Sequence, residues 1–185
     1  MNDTTRRAVI GVAAFIGLGL IVAAAINAAT STGADETTGY GEPTIAGEML
    51  APFEAAGNDP AVGESAPEVA SVDIDGETPR TVGASENAKI LIFLAHWCPH
   101  CQAEVRRISE WAKTNDLPEG VEIYGILTYT DRLRPNWPPA DWLKAEGWPY
   151  PNLLDDKISS VAAHFGMSGT PFWVVLRPDN TVAAR

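Results

Sequence analysis

The chain has 185 residues and carries 24 acidic against 13 basic side chains, a formal net charge of −11. This length allows one globular domain with its own core plus accessory segments. The acidic balance argues against nucleic-acid binding, because phosphate binding needs clustered lysine and arginine. Two cysteines are too few for a disulfide-stapled scaffold, so the fold must rest on apolar packing.

The N-terminal part of the chain has the pattern of a membrane segment. Residues 1–7 are polar and contain Arg6 and Arg7, and residues 8–29 are apolar apart from Asn27. As a helix rising about 1.5 Å per residue, residues 8–29 would span the roughly 30 Å core of a bilayer. The arginines predict a cytoplasmic N-terminus and a signal anchor. A cleaved signal peptide is the alternative, and both readings place the rest of the chain outside the cytoplasm.

Residues 30–63 are predicted to be an acidic, disordered linker. Glycine and proline are scattered through them, and they contain no lysine or arginine. They offer too little apolar surface to offset the entropy of an ordered chain. The short apolar stretch from Ile45 to Phe53 is interpreted as incidental hydrophobic residues within this linker.

A folded domain is predicted over residues 64–185. Residues 69–74 and residues 81–82 have the composition of short strands, and Asp75-Gly76 between them is a turn signal. The domain is therefore expected to begin with a β-hairpin extension.

The centre of the predicted domain is a strand, a helix and a second strand. Lys89–Ala95 is an almost continuous apolar run, which is typical of a strand covered on both faces. Val105, Ile108 and Trp111 then recur at helical spacing, and residues 121–127 form another apolar run. This order predicts a right-handed parallel unit with the cysteines at the carboxyl end of its first strand.

The remaining third of the chain begins with an unusual segment. Residues 135–151 contain three tryptophans and five prolines, which predict either a substrate-facing apolar wall or a local apolar cluster. Asp155 or Asp156 is predicted to cap a short helix. Two strands then close the sheet as a hairpin, residues 172–176 and residues 181–184.

Both cysteines lie in the motif Trp97-Cys98-Pro99-His100-Cys101, directly after the central strand. The thiolate is the reactive form of cysteine, and the unpaired N–H groups at the start of a helix stabilise a negative charge. We therefore predict that Cys98 is the nucleophile in thiol-disulfide exchange and that Cys101, one turn into the helix, is the resolving thiol. His100 is predicted to add a hydrogen-bond donor or a partial positive charge.

Other roles for the cysteines are open at this point. An inert disulfide would stabilise the fold little, because the stabilisation grows with the length of the closed loop. A copper or zinc site would combine the cysteines with His96 and His100, but structural zinc usually needs a second ligand pair, and His164 stands alone. Haem attachment is excluded because glutamine, not histidine, follows Cys101.

Four stretches of the chain form a specific combination: Ala66-Pro67, Asp75-Gly76, Trp97–Cys101 and Phe165–Pro171. Together they resemble the TlpA/ResA family of exported, membrane-anchored thiol-disulfide oxidoreductases. The resemblance covers most of residues 64–185. It implies an α/β thioredoxin fold, in which helices flank a central mixed sheet.

The resemblance also implies which residues touch the substrate. Pro171 is expected to have a cis peptide bond and to pack beside the cysteines, while Thr170 offers its backbone to the substrate chain. Trp97 and Pro99 are the other expected substrate contacts. The resemblance implies no cofactor beyond the Cys98–Cys101 dithiol and no metal.

Two features depart from the family pattern. Thioredoxin carries a buried aspartate six residues before the first cysteine, where this chain has Ile92. An acid that assists proton transfer must then come from elsewhere, and Asp131 and Glu104 are the candidates. Arg185 stands where the family continues into a last helix, so either that helix is dispensable or the sequence is a fragment.

The sequence therefore predicts a single-pass membrane protein with an extracytoplasmic domain that exchanges thiols and disulfides with protein substrates. Reduction of disulfides is the favoured direction, with an upstream redox partner that resets the dithiol. Two alternatives stay open. The Pro-His dipeptide is similar to that of DsbA-type oxidants, in which a stabilised thiolate makes the disulfide a good oxidant. A copper or zinc chaperone would use the same cysteines.

Overall fold

A computed structural model describes residues 39–55 and 57–185. The strands and helices of this part are, in chain order, β1 (Thr44–Ala46), β2 (Glu68–Val72), β3 (Pro79–Val82), β4 (Ala88–Leu94), α1 (Pro99–Ala112), β5 (Val121–Leu127), α2 (Pro139–Ala145), β6 (Asn152–Leu154), α3 (Ser160–His164), β7 (Phe172–Leu176) and β8 (Val182–Ala184).

The main sheet has five strands in the order β6-β5-β4-β7-β8, with β4 at its centre. Strand β4 runs parallel to β5, which in turn runs parallel to β6. Strand β7 is antiparallel to both of its neighbours, β4 and β8. The predicted mixed sheet with flanking helices is thus confirmed, and so is the parallel β4-α1-β5 unit.

Strand β4 is buried on both faces because its side chains alternate between two apolar clusters. Leu91 and Phe93 pack in the cluster that contains residues of α3. Ile92 and Leu94 point to the opposite face, into the cluster that contains Cys101 and the apolar side of α1. This double burial is why the strand has so few polar residues.

The predicted N-terminal hairpin is confirmed, and it gains a third strand. Strands β2 and β3 pair in antiparallel register, and β1 pairs antiparallel with the other edge of β2. The Asp75 carboxylate accepts hydrogen bonds from the backbone N–H groups of Glu77 and Thr78, which stabilises the turn between β2 and β3.

The prediction of a disordered linker over residues 30–63 is wrong for its described part, residues 39–55 and 57–63, which we call the N-terminal strap. Besides contributing β1, the strap buries Leu50 and Ala61 in the main core. The Phe53 ring packs edge-on against Phe172, with 5.5 Å between the ring centroids. The strap has too few apolar residues for a core of its own, but the few it has complete the core of the domain. The stretch from Ile45 to Phe53 is therefore a docking segment.

A buried ion pair fastens the strap to the end of the main sheet. The Arg185 guanidinium binds both carboxylate oxygens of Asp59, one of them at 2.8 Å, and both side chains are almost fully buried. The same guanidinium donates to the carbonyl oxygens of Ala51 and Phe165, at 2.9 and 2.8 Å.

The predicted signal anchor, residues 8–29, and the first part of the predicted linker lie outside the described residues. In the part of the chain that the structure describes, no helix combines the length and the apolar character needed to cross a membrane.

The segment rich in tryptophan and proline divides into a buried part and a surface part. Helix α2 lies inside it and buries Trp142 and Leu143 in the cluster beneath α1. Trp137, by contrast, is only partly buried, and its ring lies 6.0 Å from the ring of His96 and 6.3 Å from that of Tyr40. Trp142 thus belongs to the apolar cluster that also contains both cysteines, while Trp137 lies beside His96, the residue before the cysteine motif.

The short helix α3 is capped by two aspartates, where the sequence predicted one. The Asp155 carboxylate accepts hydrogen bonds from the backbone N–H groups of Val161 and Ala162. The Asp156 carboxylate accepts those of Ile158 and Ser160. The bonds from Ser160, Val161 and Ala162 satisfy N–H groups that the start of α3 leaves unpaired.

Candidate active site

The two cysteines lie where the central strand gives way to α1. Cys98 is the N-cap residue of α1, with extended backbone angles, and Pro99 occupies the first helical position. Proline suits this position because the N–H group that it lacks would have no partner within the helix. Cys101 follows in the first turn and is fully buried, whereas Cys98 keeps 7% of its surface exposed. Both cysteines are free thiols.

The surroundings of the two sulfurs separate their acidities. Burial by itself would raise the pKa of Cys98, but hydrogen bonds outweigh it and hold that pKa below its ordinary value. They involve the backbone N–H groups of Cys101 and His100 and the side chains of Thr170 and Cys101. Burial raises the pKa of the Cys101 thiol to about 12. The Cys98 sulfur therefore ionises more readily than the Cys101 sulfur, and this order fits the roles predicted for them.

Thr170 and Pro171 lie in the loop before β7, and Thr170 contacts Cys98. The Thr170–Pro171 peptide bond is cis, as the family resemblance implies. The Cys98 thiol donates to the Thr170 carbonyl oxygen at 3.5 Å. This contact places the backbone of Thr170 beside the Cys98 sulfur.

The imidazole of His100 does not act on Cys98 as predicted. The residue is exposed, and its backbone N–H group, not its imidazole, is what acts on Cys98. Within the described residues the imidazole makes no hydrogen bond. Pro99 beside it is also exposed and available to a substrate.

Trp97 connects the motif to the loop formed by residues 128–138, which we call the Tyr129 loop. The Trp97 indole N–H donates to the carbonyl oxygen of Tyr129 at 2.7 Å. The guanidinium of Arg134 lies over the Trp97 ring, 4.9 Å from its centroid. The predicted substrate contact Trp97 is thus held in place by this loop.

His96 is the residue at the site whose role the sequence did not reveal. It is fully buried, its Nε2 accepts the backbone N–H of Asp131 at 3.2 Å, and its Nδ1 lies 2.7 Å from the carbonyl oxygen of Pro135. Since Nε2 accepts, Nδ1 carries the proton and donates it to Pro135. The backbone carbonyl oxygen of His96 accepts hydrogen bonds from the side-chain amides of Gln102 and Asn136. A neutral His96 therefore ties the Tyr129 loop to the start of α1.

Replacing His96 with asparagine is expected to flatten the pH dependence of stability. Burial lowers the pKa of His96, so the unfolded chain takes up a proton at higher pH than the folded chain. The free energy of unfolding therefore falls as the pH drops below about 6.5, by up to about 1.4 kcal/mol per pH unit. Urea unfolding at several pH values measures this slope in both proteins. The exposed His100, replaced in the same way, is the control, and an unchanged slope in His96→Asn would contradict the prediction.

The carboxylates of the two acids considered as proton carriers are engaged with groups other than the cysteines. The Asp131 carboxylate accepts the backbone N–H of Leu133 at 2.9 Å and lies 3.5 Å from Arg134. The Glu104 carboxylate accepts from Arg107 at 2.9 Å. Among the described residues neither carboxylate hydrogen-bonds to a cysteine.

The described residues around the two cysteines do not provide the ligand set that a copper or zinc site needs. No group of three or more histidine, cysteine, aspartate or glutamate residues is placed to hold a metal ion in residues 39–55 and 57–185. Both ring nitrogens of His96 are engaged with backbone groups, and Nδ1 of His164 pairs with the carbonyl oxygen of Ser160 at 2.7 Å. Two thiols with an exposed His100 make an incomplete site.

Fold and site together define the class of protein. A mixed sheet of thioredoxin type, a Cys-X-X-Cys pair at a helix start and a cis-proline opposite it form the site of a thiol-disulfide oxidoreductase. Residues 62–185 match the AhpC/TSA family. The chain belongs to that family, because the match covers more than half of its length.

Individual relatives agree with this class. The chain is 40% identical over 83 residues to the thiol:disulfide interchange protein DsbE of Haemophilus influenzae, a match that spans 44% of this chain and 40% of that protein. The chain thus matches less than half the length of this curated relative.

Solved structures agree on the fold. The thioredoxin domain of a thiol-disulfide oxidoreductase from Bacteroides vulgatus has a TM-score of 0.54 at 20% identity, covering 67% of this chain and 86% of that one. A secreted disulfide oxidoreductase of Mycobacterium tuberculosis, described as homologous to DsbE of E. coli, has a TM-score of 0.50 at 23% identity, covering 63% of this chain and 81% of that one.

Proposed function

We propose that the protein is a protein-disulfide reductase that works through Cys98 and Cys101 in an extracytoplasmic compartment. The difference in acidity between the two thiols is the observation that carries this proposal. The pKa of the partly exposed Cys98 is lowered, while burial raises that of Cys101 to about 12. A nucleophile at the surface and a protonated thiol behind it are what stepwise disulfide reduction requires.

The proposed reaction has two exchange steps. The Cys98 thiolate attacks one sulfur of a substrate disulfide, which forms a mixed disulfide and releases the other substrate sulfur as a thiolate that takes up a proton. Cys101 then loses its proton and attacks the Cys98 sulfur. The Cys98–Cys101 disulfide forms and the second substrate thiol leaves. Two electrons pass from the dithiol to the substrate, and an external dithiol reductant returns the protein to its starting state.

The surroundings of Cys98 favour the reducing direction over a DsbA-like role. A strong oxidant needs a strongly stabilised thiolate in its reduced form. Here the stabilising groups are two backbone N–H groups and the side chains of Thr170 and Cys101, and burial opposes them. The exposed His100 imidazole stays out of this set.

The location rests on the sequence. The apolar residues 8–29 behind Arg6 and Arg7 support a single-pass anchor in the cell membrane with the domain on the outer side. In that place the dithiol depends on an upstream redox partner that carries electrons across or along the membrane. Protein thiols and disulfides are the proposed substrates.

A measurement of the reduction potential of the Cys98–Cys101 couple tests the direction. Equilibration with glutathione or dithiothreitol redox buffers is expected to give a value near that of thioredoxin, about −270 mV. Reduced protein should also release two substrate thiols per Cys98–Cys101 disulfide formed, as counted with insulin as the substrate. A potential near about −120 mV would instead establish an oxidant, and it would overturn the reductase proposal.

A further inference from the structure

Large apolar side chains are exposed at six positions of the described chain, and three of them lie on loops at the same edge of the sheet as Cys98. In the described residues they are Met49, Val62, Trp111, Tyr129, Leu133 and Ile158. Tyr129 and Leu133 belong to the Tyr129 loop after β5, and Ile158 belongs to residues 155–159 after β6, which we call the Ile158 turn. Because β4, β5 and β6 are parallel, their carboxyl ends lie at one edge of the sheet, and both loops lie at that edge together with Cys98. Leu133 is 94% exposed and Ile158 is 84% exposed, which no packing role in the domain explains.

Hydrogen bonds and stacking join these loops to the cysteine motif. The carbonyl oxygen of Tyr129 accepts a hydrogen bond from the indole of Trp97, which directly precedes Cys98. The backbone N–H of Tyr129 donates to the Ser159 hydroxyl at 3.3 Å. Arg134, which follows Leu133, covers the Trp97 ring. The two loops that carry Tyr129, Leu133 and Ile158 are therefore held in place next to the cysteine motif by these contacts.

The same two loops carry two exposed cationic side chains, Arg132 and Lys157, near three aspartates, on a strongly acidic protein. The Arg132 guanidinium lies 5.6 Å from the centroid of the Trp137 ring, and the Lys157 ammonium lies 5.7 Å from that of Tyr40. Stacking on an aromatic ring leaves the charge of each free to attract an anion. Of the three aspartates nearby, Asp155 is buried, Asp156 caps backbone N–H groups and Asp131 lies beside Arg134.

We propose that Tyr129, Leu133, Ile158, Arg132 and Lys157 form a recognition surface for one class of substrate. That class is an extended polypeptide with an apolar side chain and a carboxylate close to its reactive cysteine. The apolar side chain packs against Leu133 and Ile158, and the carboxylate pairs with Arg132 or Lys157. This inference rests on the proposed function and adds the choice of substrate to it.

The charges of Arg132 and Lys157 are expected to affect the association rate and the choice of substrate more than the strength of binding. Complementary charge at the rim of an interface mainly raises the association rate and rejects partners of like charge. With a net charge of −11, the protein as a whole repels acidic chains. Arg132 and Lys157 offer such chains a point of attraction at the edge of the sheet that carries the nucleophile.

Three short peptides with an internal disulfide test the surface. They differ only in the residues next to one cysteine, which are Leu-Glu, Leu-Lys or Ser-Glu. We expect reduced protein to react with the Leu-Glu peptide about tenfold faster than with the Leu-Lys or Ser-Glu peptide. The preference for glutamate over lysine should shrink as ionic strength rises. Each rate is divided by the rate with the small neutral substrate hydroxyethyl disulfide, measured on the same protein.

Matched variants separate the surface from general effects. Arg132→Glu is expected to remove most of the preference for Leu-Glu over Leu-Lys, whereas Lys113→Glu, which changes the net charge equally at the far end of α1, should keep it. Leu133→Ser is expected to remove most of the preference for Leu-Glu over Ser-Glu, whereas Val62→Ser on the strap should keep it.

The outcomes also distinguish this inference from the proposed function. Equal normalised rates for the three peptides, or preferences that survive Arg132→Glu and Leu133→Ser, would overturn the recognition surface while reduction of hydroxyethyl disulfide still supports a reductase. Failure to reduce any of these disulfides would overturn the proposed function, and the inference with it.

Discussion

Replacing Cys98 with serine is expected to lower the rate of disulfide reduction by about a thousandfold or more. A serine hydroxyl stays protonated near neutral pH and forms no disulfide, so the first exchange step has no nucleophile. Release of substrate thiols from insulin or from hydroxyethyl disulfide measures the loss.

The variant Cys101→Ser is the matched control for this prediction. It keeps the nucleophile and lacks the resolving thiol, so the reaction should stop at a mixed disulfide between Cys98 and the substrate, which intact-protein mass spectrometry detects. Residual turnover in Cys98→Ser, or trapping by Cys98→Ser in place of Cys101→Ser, would reverse the two assignments.

Alkylation of the reduced protein gives an independent view of the same difference. With a pKa of about 12, only about one Cys101 thiol in 100,000 is ionised at pH 7. Iodoacetamide at pH 7 should therefore modify Cys98 alone. Equal labelling of both cysteines in the folded protein would contradict the acidities described for this site.

Replacing Asp59 with alanine is expected to lower the free energy of unfolding by about 3–5 kcal/mol. The substitution leaves the Arg185 guanidinium buried without a counter-charge, and the hydrogen bonds to Ala51 and Phe165 do not supply one. Urea unfolding followed by fluorescence measures the change.

An exposed ion pair provides the comparison for Asp59→Ala. Glu110 and Lys113 lie 2.6 Å apart on the surface of α1, so Glu110→Ala should cost at most about 1 kcal/mol. The pH dependence has a defined sign as well. The hydrogen bond from Arg185 lowers the pKa of Asp59, so the contribution of the pair is complete above pH 4 and disappears as the pH falls through that lowered pKa. A cost for Asp59→Ala similar to that for Glu110→Ala would show that this pair does not hold the strap.

The centre of the fold was predictable because its signals are local. An apolar run as long as Lys89–Ala95 has few ways to be buried except as a central strand, and the helical spacing after Cys101 follows from the same burial. The strap lacked such a signal. Ile45 pairs with Val69, 24 positions along the chain, and its apolar residues are too few to indicate a fold without the surface that receives them.

The candidate site was predictable to the extent that a motif specifies it. The spacing of the cysteines fixes their places at the helix start, but it does not tell which group of His100 faces the sulfur. His96 was missed as a positioning residue because its partners, Asp131 and Pro135, lie 35 and 39 positions away and are backbone groups. No pattern of side chains in the sequence marks a contact of that kind.

Tyr40 marks the point at which the described chain enters its fold. Its hydroxyl donates to the Thr130 carbonyl oxygen at 2.7 Å, and Lys157 lies against its ring. A purification tag or fusion partner attached ahead of residue 39 would therefore begin beside the Tyr129 loop and crowd large substrates while leaving small ones free. Activity measured on proteins and on small disulfides would then diverge for reasons of assay design, and a label on the exposed Lys113 avoids the difficulty.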